Sequence, residues 1–162
     1  MTSLRRLTRD DLPQLRQFWI EHWDGEEMVT HGIVHRPEQL DGYVVEDGKE
    51  WIGLITFLVK DDECEVASLD SLRGGQGIGT KLINTVLAEA RKQNCRRVFL
   101  STTNDNMNAL RFYQKRGFEL VAIHRGAVNE ARKIKPSIPL TGFGDIPLRD
   151  EIELEMSLRG GA

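Results

Sequence analysis

A chain of 162 residues with a net charge of −3, 40% apolar and 29% charged residues, is neither a disordered polymer nor a strongly basic nucleic-acid binder. No apolar run approaches the roughly 18 residues of a membrane helix, and Met1 to Asp11 lack an apolar signal core. Two cysteines, Cys64 and Cys95, with no Cys/His ligand spacing, offer neither a disulfide framework nor a metal site, so a single domain over residues 1–162 in a cytoplasmic setting is expected.

In chain order, Leu4 to Leu7 reads as a short strand. Asp11 is placed to cap the next helix, with Gln14 three residues on in capping-box position. Leu12, Leu15, Phe18, Trp19 and His22 follow helical spacing. The pattern breaks from Trp23 to Arg36, which reads as a second short helix or a loop over a binding site. Gly42 to Asp47 is a strand, Asp47-Gly48 is a type I′ hairpin signal, and Trp51 to Val59 is apolar on both faces like a central strand. Asp61-Asp62 turns the chain and Glu63 to Leu69 returns it.

Gly74-Gly75-Gln76-Gly77-Ile78-Gly79-Thr80 then opens into a helix whose apolar stripe is Leu82, Ile83, Val86, Leu87 and Ala90. A glycine-rich turn between strand and helix leaves main-chain N–H groups bare at the positive end of the helix dipole, a phosphate site built from backbone. The spacing excludes two familiar phosphate binders. A dinucleotide fingerprint needs G-x-G-x-x-G, whereas the glycines at 75, 77 and 79 alternate and Thr80 stands three after Gly77. A P-loop needs Lys before Ser/Thr after its last glycine, and here the order is Thr80-Lys81.

Val98 to Ser101 reads as a buried strand, parallel to the one before the turn. Asn106 or Asn108 caps the following helix and Gly117 ends it. Glu119 to Ile123 is a strand, Ala127 to Lys133 a short helix, and Lys135 to Arg149 a long loop. Ile152, Leu154, Met156 and Leu158 alternate with Glu151, Glu153 and Glu155, the pattern of a half-exposed last strand. Charge is split: residues 1–72 hold 7 basic and 16 acidic residues, and residues 73–162 hold 15 and 9. A basic half suits an anionic ligand, and an acidic half a cationic one.

Two stretches resemble the GCN5-related N-acetyltransferases. Gly77-Ile78-Gly79 matches the end of that family's [Q/R]-x-x-G-x-[G/A] pyrophosphate loop. Asn106-Met107-Asn108-Ala109-Leu110-Arg111-Phe112-Tyr113-Gln114-Lys115-Arg116-Gly117-Phe118 is similar to its N-x-x-A-x-x-[LF]-Y-x-K-x-G-F. The first loop residue, Gln or Arg in the family, falls on Gly74, with Arg73 one position early.

The resemblance implies an α+β fold: a mixed, twisted sheet with helices on both faces and a splay between the two central parallel strands. It implies acetyl-CoA as cosubstrate, no metal, and direct transfer to an amine. The pantetheine arm would pair with main chain near Leu69 and Ser71, and Asn106 would bond the same arm. The diphosphate would sit on the N–H groups around Gly75, Gln76, Gly77, Gly79 and Thr80. Tyr113 would donate a proton to the departing thiolate. Glu63 and Glu65, on one strand face, are the candidates for a base.

The acidic N-terminal half leans toward a cationic small-molecule acceptor. The rival readings are a catalytically weak acyl-CoA-binding sensor and a transferase acting on a protein amine. Nucleic acid and membrane are not expected partners. Homodimers are common among similar proteins, but no residue here fixes that state.

Overall fold

Among the described residues, 1–159 of a computed structural model, nine strands and four α-helices alternate along the chain. They are β1 (Thr2–Arg6), α1 (Leu12–Trp23), β2 (Met28–Thr30), β3 (Ile33–His35), β4 (Asp41–Asp47), β5 (Glu50–Lys60), β6 (Glu63–Ser71), α2 (Ile78–Lys92), β7 (Arg97–Thr103), α3 (Met107–Lys115), β8 (Glu119–His124), α4 (Ala127–Ile134) and β9 (Glu151–Ser157). Seven strands form one sheet in the order β1-β4-β5-β6-β7-β9-β8, and β2 pairs with β3 apart from it. Only β6 and β7 run parallel, because the α2 crossover returns the chain in the same direction.

The sheet is covered on both faces. On one face α2 lays Ile78, Leu82, Ile83, Val86, Leu87 and Ala90 on Ile52, Ile55, Phe57, Cys64, Val66 and Val98, and α3 adds Tyr113. On the other, α1 packs Leu15, Phe18 and Trp19 against Val44, Trp51 and Leu54. Each Val, Leu, Ile or Phe among them contributes about 1.5–3 kcal/mol on full burial. Gly53 lets α2 approach β5 this closely, since a Cβ there would collide with the Ile78 side chain. Both cysteines are buried, and burial pushes the Cys64 thiol up to about 12. No described helix is long and apolar enough to cross a membrane.

Four local expectations are corrected. The first capping box is formed by Thr8 and Asp11 around a 3-10 turn, not by Asp11 and Gln14, because the Asp11 carboxylate turns back to the Thr8 N–H at 2.7 Å. The Trp23–Arg36 segment is neither helix nor plain loop but the β2–β3 hairpin. Positive φ at His31 and Gly32 makes the two-residue turn, and β-branched Val29, Thr30, Ile33 and Val34 flank it. At the β4–β5 hairpin the loop residues are Gly48 and Lys49. Positive φ falls on Gly48 alone, as in a II′ turn rather than I′. The last strand, expected to be half-exposed with its glutamates outward, lies between β7 and β8; Glu153 and Glu155 are half-buried, but Glu151 departs from the pattern at only 4% exposed, because the His31 end of the β2–β3 hairpin packs on it.

Candidate active site

β6 and β7 pair over three residues only, Glu63↔Arg97, Cys64↔Val98 and Glu65↔Phe99. Beyond them β7 stays bound to β9 through Thr103↔Glu151, and β6 to β5 through Gly53↔Ser71. The two parallel strands therefore part toward their C-terminal ends. A bulge sits at the fork: Thr56 pairs with Ser68 and Phe57 with Val66, so Ala67 is the extra residue. A bulge bends its strand and increases the local twist. From Val66 to Ser71, including Leu69 and Ser71, the β7-facing edge of β6 has no strand partner among the described residues. An extended amide-bearing ligand can add there as a strand would.

The glycine turn leads off the end of β6. Positive φ at Gly75 and Gly77 needs residues without a Cβ penalty, and open space lies where a Cβ would stand at Gly74, Gly75 and Gly77. No side chain caps α2 at Gly77, and the first bond into the helix runs from the Lys81 N–H to the Gly77 carbonyl. The amides of Ile78, Gly79 and Thr80 thus lack helical partners. This open cradle of donors fits a diphosphate.

The expected side chain at position 74 is missing, and Arg73 does not replace it. Its guanidinium is held at the β4–β5 turn by Asp47 at 2.7 Å and Glu50 at 3.5 Å. Arg116, at the end of α3, stands at the cradle instead. Its Nε and Nη2 donate to Thr80 Oγ1 at 2.9 and 2.6 Å, and its Nη1 donates to the Phe112 carbonyl at 2.8 Å. The guanidinium carbon lies 3.7 Å from the Phe112 ring centroid. Phe112 in turn covers Gly79, where a Cβ would sit 3.2 Å from the ring. With Thr80 Oγ1 accepting from Arg116, the Thr80 hydroxyl proton is free to donate outward. The signal in the sequence was the arginine between Lys115 and Gly117, to which the family resemblance assigned no role.

Asn106 caps α3, its Oδ1 accepting from the Ala109 N–H at 3.1 Å, and it lines a cavity of about 330 Å³ at the fork. Tyr113 is buried, edge-on to Phe112 and Phe118. Burial, with the charge of Asp70 adding to it, pushes its phenol well above the usual value, so it holds its proton throughout the neutral range. Asp70, passed over in the sequence, accepts from the Trp23 indole N–H at 3.0 Å on both oxygens. Burial pushes its carboxyl up to about 6, against the Trp23 bond.

The cavity is walled by Trp23, Met28 and Val29 from the first half of the chain and by Val128, Ala131, Ile138 and Pro139 from the second. Lys135 ties the halves together, its ammonium donating to the carbonyls of Trp23 at 2.8 Å and Glu27 at 3.2 Å. Arg132 holds the following loop through the carbonyls of Ile138, Pro139 and Leu148.

The two candidate bases separate. Glu63 is bound by Arg96 and by Arg97, an ion-pair partner at the closed end of the fork. Glu65 turns to the β2–β3 hairpin, accepting from Thr30 Oγ1 at 3.3 Å, with His35 Nε2 at 3.8 Å. Burial pushes the Glu65 carboxyl up and the His35 imidazole down. His31 contacts Ser101. His124 bonds Glu153 at 3.0 Å, and Glu153 also accepts from Arg97 at 2.8 Å. His31, His124 and Glu153 bring ligand-type atoms within 4.8 Å of one another, and all three already have protein partners that fasten the hairpin turn to β7, β8 and β9.

A sequence profile of the acetyltransferase (GNAT) family matches residues 2–118. The uncharacterized protein YxbD of Bacillus subtilis is 42% identical over 143 residues, covering 88% of this chain and 90% of the relative. Among solved structures, a GNAT family acetyltransferase from Elizabethkingia anophelis with acetyl-CoA bound superposes with a TM-score of 0.69 at 22% identity, covering 97% of this chain and 98% of that one. A Bacillus subtilis acetyltransferase in complex with CoA gives 0.67 at 19%, covering 97% of each.

Proposed function

The chain belongs to the GNAT acetyltransferase family, and from that premise we propose that it is an N-acetyltransferase moving an acetyl group from acetyl-CoA directly to a primary amine of a small, cationic molecule. The carrying observation is the juxtaposition of an uncapped, glycine-rich helix start with parallel strands that part after three paired residues. The glycine cradle, the Thr80 hydroxyl and Arg116 hold the diphosphate. The free edge of β6 near Leu69 and Ser71, with Asn106, holds the arm. Acetyl-CoA, when bound, supplies the activated acetyl thioester.

The chain's own groups handle the protons. An alkylamine is protonated at neutral pH and attacks only when neutral. Glu65, with its carboxyl raised by burial, is the base we assign, directly or through a water. Tyr113 keeps its phenol proton for the departing sulfur. A small acceptor is favoured over a protein tail because the hairpin and residues 135–139 wall the cavity from two sides and are tied together by Lys135.

The test is an amine panel scored by thiol release, with Tyr113→Phe as the control. Turnover on small amines, lost in the variant while acetyl-CoA binding is kept, supports the reading. Binding with no release on any amine would leave an acyl-CoA sensor, and no binding at millimolar acetyl-CoA would overturn both.

A further inference from the structure

Glu151 is the one carboxylate that is both nearly fully buried, at 4% exposure, and on the wall of the cavity at the fork. Its Oε2 accepts from the His31 main-chain N–H at 3.2 Å, and the His31 ring stands 4.0 Å away. Among the described residues no donor reaches its other oxygen. Lys135, the one lysine or arginine among the residues lining the cavity, spends its ammonium on the Trp23 and Glu27 carbonyls. A buried charge without a counter-charge is costly, and such groups are normally paired. The register places it beside Thr103, on the strand that forms one side of the fork.

Glu65 is a separate acid on the other side, and the two are bridged by neighbouring residues of the hairpin turn. Thr30 Oγ1 donates to Glu65 and the His31 N–H donates to Glu151. Thr30 lines the same cavity as Glu151, so Glu65 adjoins that cavity through its Thr30 bond, and Ala67, Met28, Val29 and Val128 give the wall apolar surface suited to methylenes. An acceptor with one amine could satisfy only one of these carboxylates.

Resting on the acetyltransferase reading above, we propose that the acceptor carries two amines on a short aliphatic chain. The nitrogen near Glu65 loses its proton and is acetylated, while the far nitrogen stays an ammonium held by Glu151. Glu151 is then a specificity residue that the far ammonium touches, and it takes no part in the transfer itself.

The experiment compares α,ω-diaminoalkanes of three to six carbons with n-alkylamines of the same lengths, using acetyl-CoA and thiol release. The wild-type chain is expected to favour the matched diamine by at least about tenfold in kcat/KM, the effect of one charge-assisted contact. Glu151→Gln is expected to bring that ratio close to one by raising KM for the diamine, with acetyl-CoA affinity unchanged. Calorimetric titration of the diamine into the CoA-bound protein gives a readout independent of turnover, and binding should weaken by the same factor in the variant.

Equal use of diamines and monoamines by the wild type overturns the inference while leaving the acetyltransferase reading standing. So does a diamine preference that survives Glu151→Gln. Inactivity on every amine overturns both. If the variant does not fold, the wild-type chain-length series decides alone.

Discussion

Arg116 bonds Thr80 at the start of α2, where we propose that the ligand diphosphate sits, and its removal has a calculable consequence. The guanidinium is half-buried, fixed by Thr80 Oγ1 at 2.9 and 2.6 Å and by the Phe112 carbonyl at 2.8 Å. These bonds use three of its five N–H groups, leaving two for an anion. A hydrogen bond to a charged group contributes about 1.5–3 kcal/mol, and partial exposure argues for the lower end, about 1.5–2 kcal/mol. Arg116→Ala should therefore weaken acetyl-CoA binding about ten- to thirtyfold, and added salt should narrow the difference.

Arg116→Lys keeps the charge but loses the planar fork and the stack on Phe112, so it should fall between the two. Calorimetric titration gives the dissociation constants, and thermal denaturation run in parallel reports what loss of the Phe112 stack does to the fold, about 0.5–1 kcal/mol. Unchanged affinity in a folded Arg116→Ala protein would refute the assignment. So would an equal loss in Arg111→Ala, which would point to a diffuse basic field instead of a placed contact.

Tyr113→Phe is expected to lower kcat by about a hundredfold or more with little change in acetyl-CoA affinity, the signature of a lost proton donor; a fall confined to KM would make the tyrosine a packing group. The base role proposed for Glu65 requires an ionised carboxylate, so the rate should fall as pH drops through its raised pKa, and Glu65→Gln should remove that acid limb together with most of the rate. Asp70 ionises above about 4 in the unfolded chain but only above about 6 in the folded one, so the folded state holds the extra proton between those values and stability falls as pH rises through them. Asp70→Asn should thus stabilise the protein by up to about 3 kcal/mol above pH ~6 and leave it unchanged below pH ~4, and melting curves at both ends that show a pH-independent gain would contradict the cause. Gly53→Ala should cost about 1–3 kcal/mol, because its methyl group meets Ile78, and an unchanged melting temperature would mean that α2 shifts freely on the sheet.

The parts of this molecule that were legible in its sequence are those governed by local rules. Alternating glycines before an amphipathic stripe announce a bare helix start, and positive φ at Gly75 and Gly77 is the conformation glycine makes accessible there. Asn106 caps α3 through a bond to a residue three positions away. What stayed hidden depends on which strands meet. Glu151 alternates with apolar residues just as a solvent-facing glutamate would. It is buried because the β2–β3 hairpin packs over that face of β9, with the His31 N–H reaching its carboxylate, and that packing is a long-range choice that periodicity does not encode. Arg116 lies thirty-six positions from Thr80, and no spacing rule joins a helix end to another helix's start.

The hairpin is the intermediate case. Val29-Thr30-His31-Gly32-Ile33-Val34 has β-branched flanks around a His-Gly turn and is readable once the turn is allowed a left-handed histidine. The loop geometry that specifies the phosphate grip is local, whereas the carboxylates that would choose an acceptor are gathered by topology. Sequence therefore names the donor of the acetyl group more readily than its recipient, and the recipient has to be sought with Glu65 and Glu151 taken as a pair.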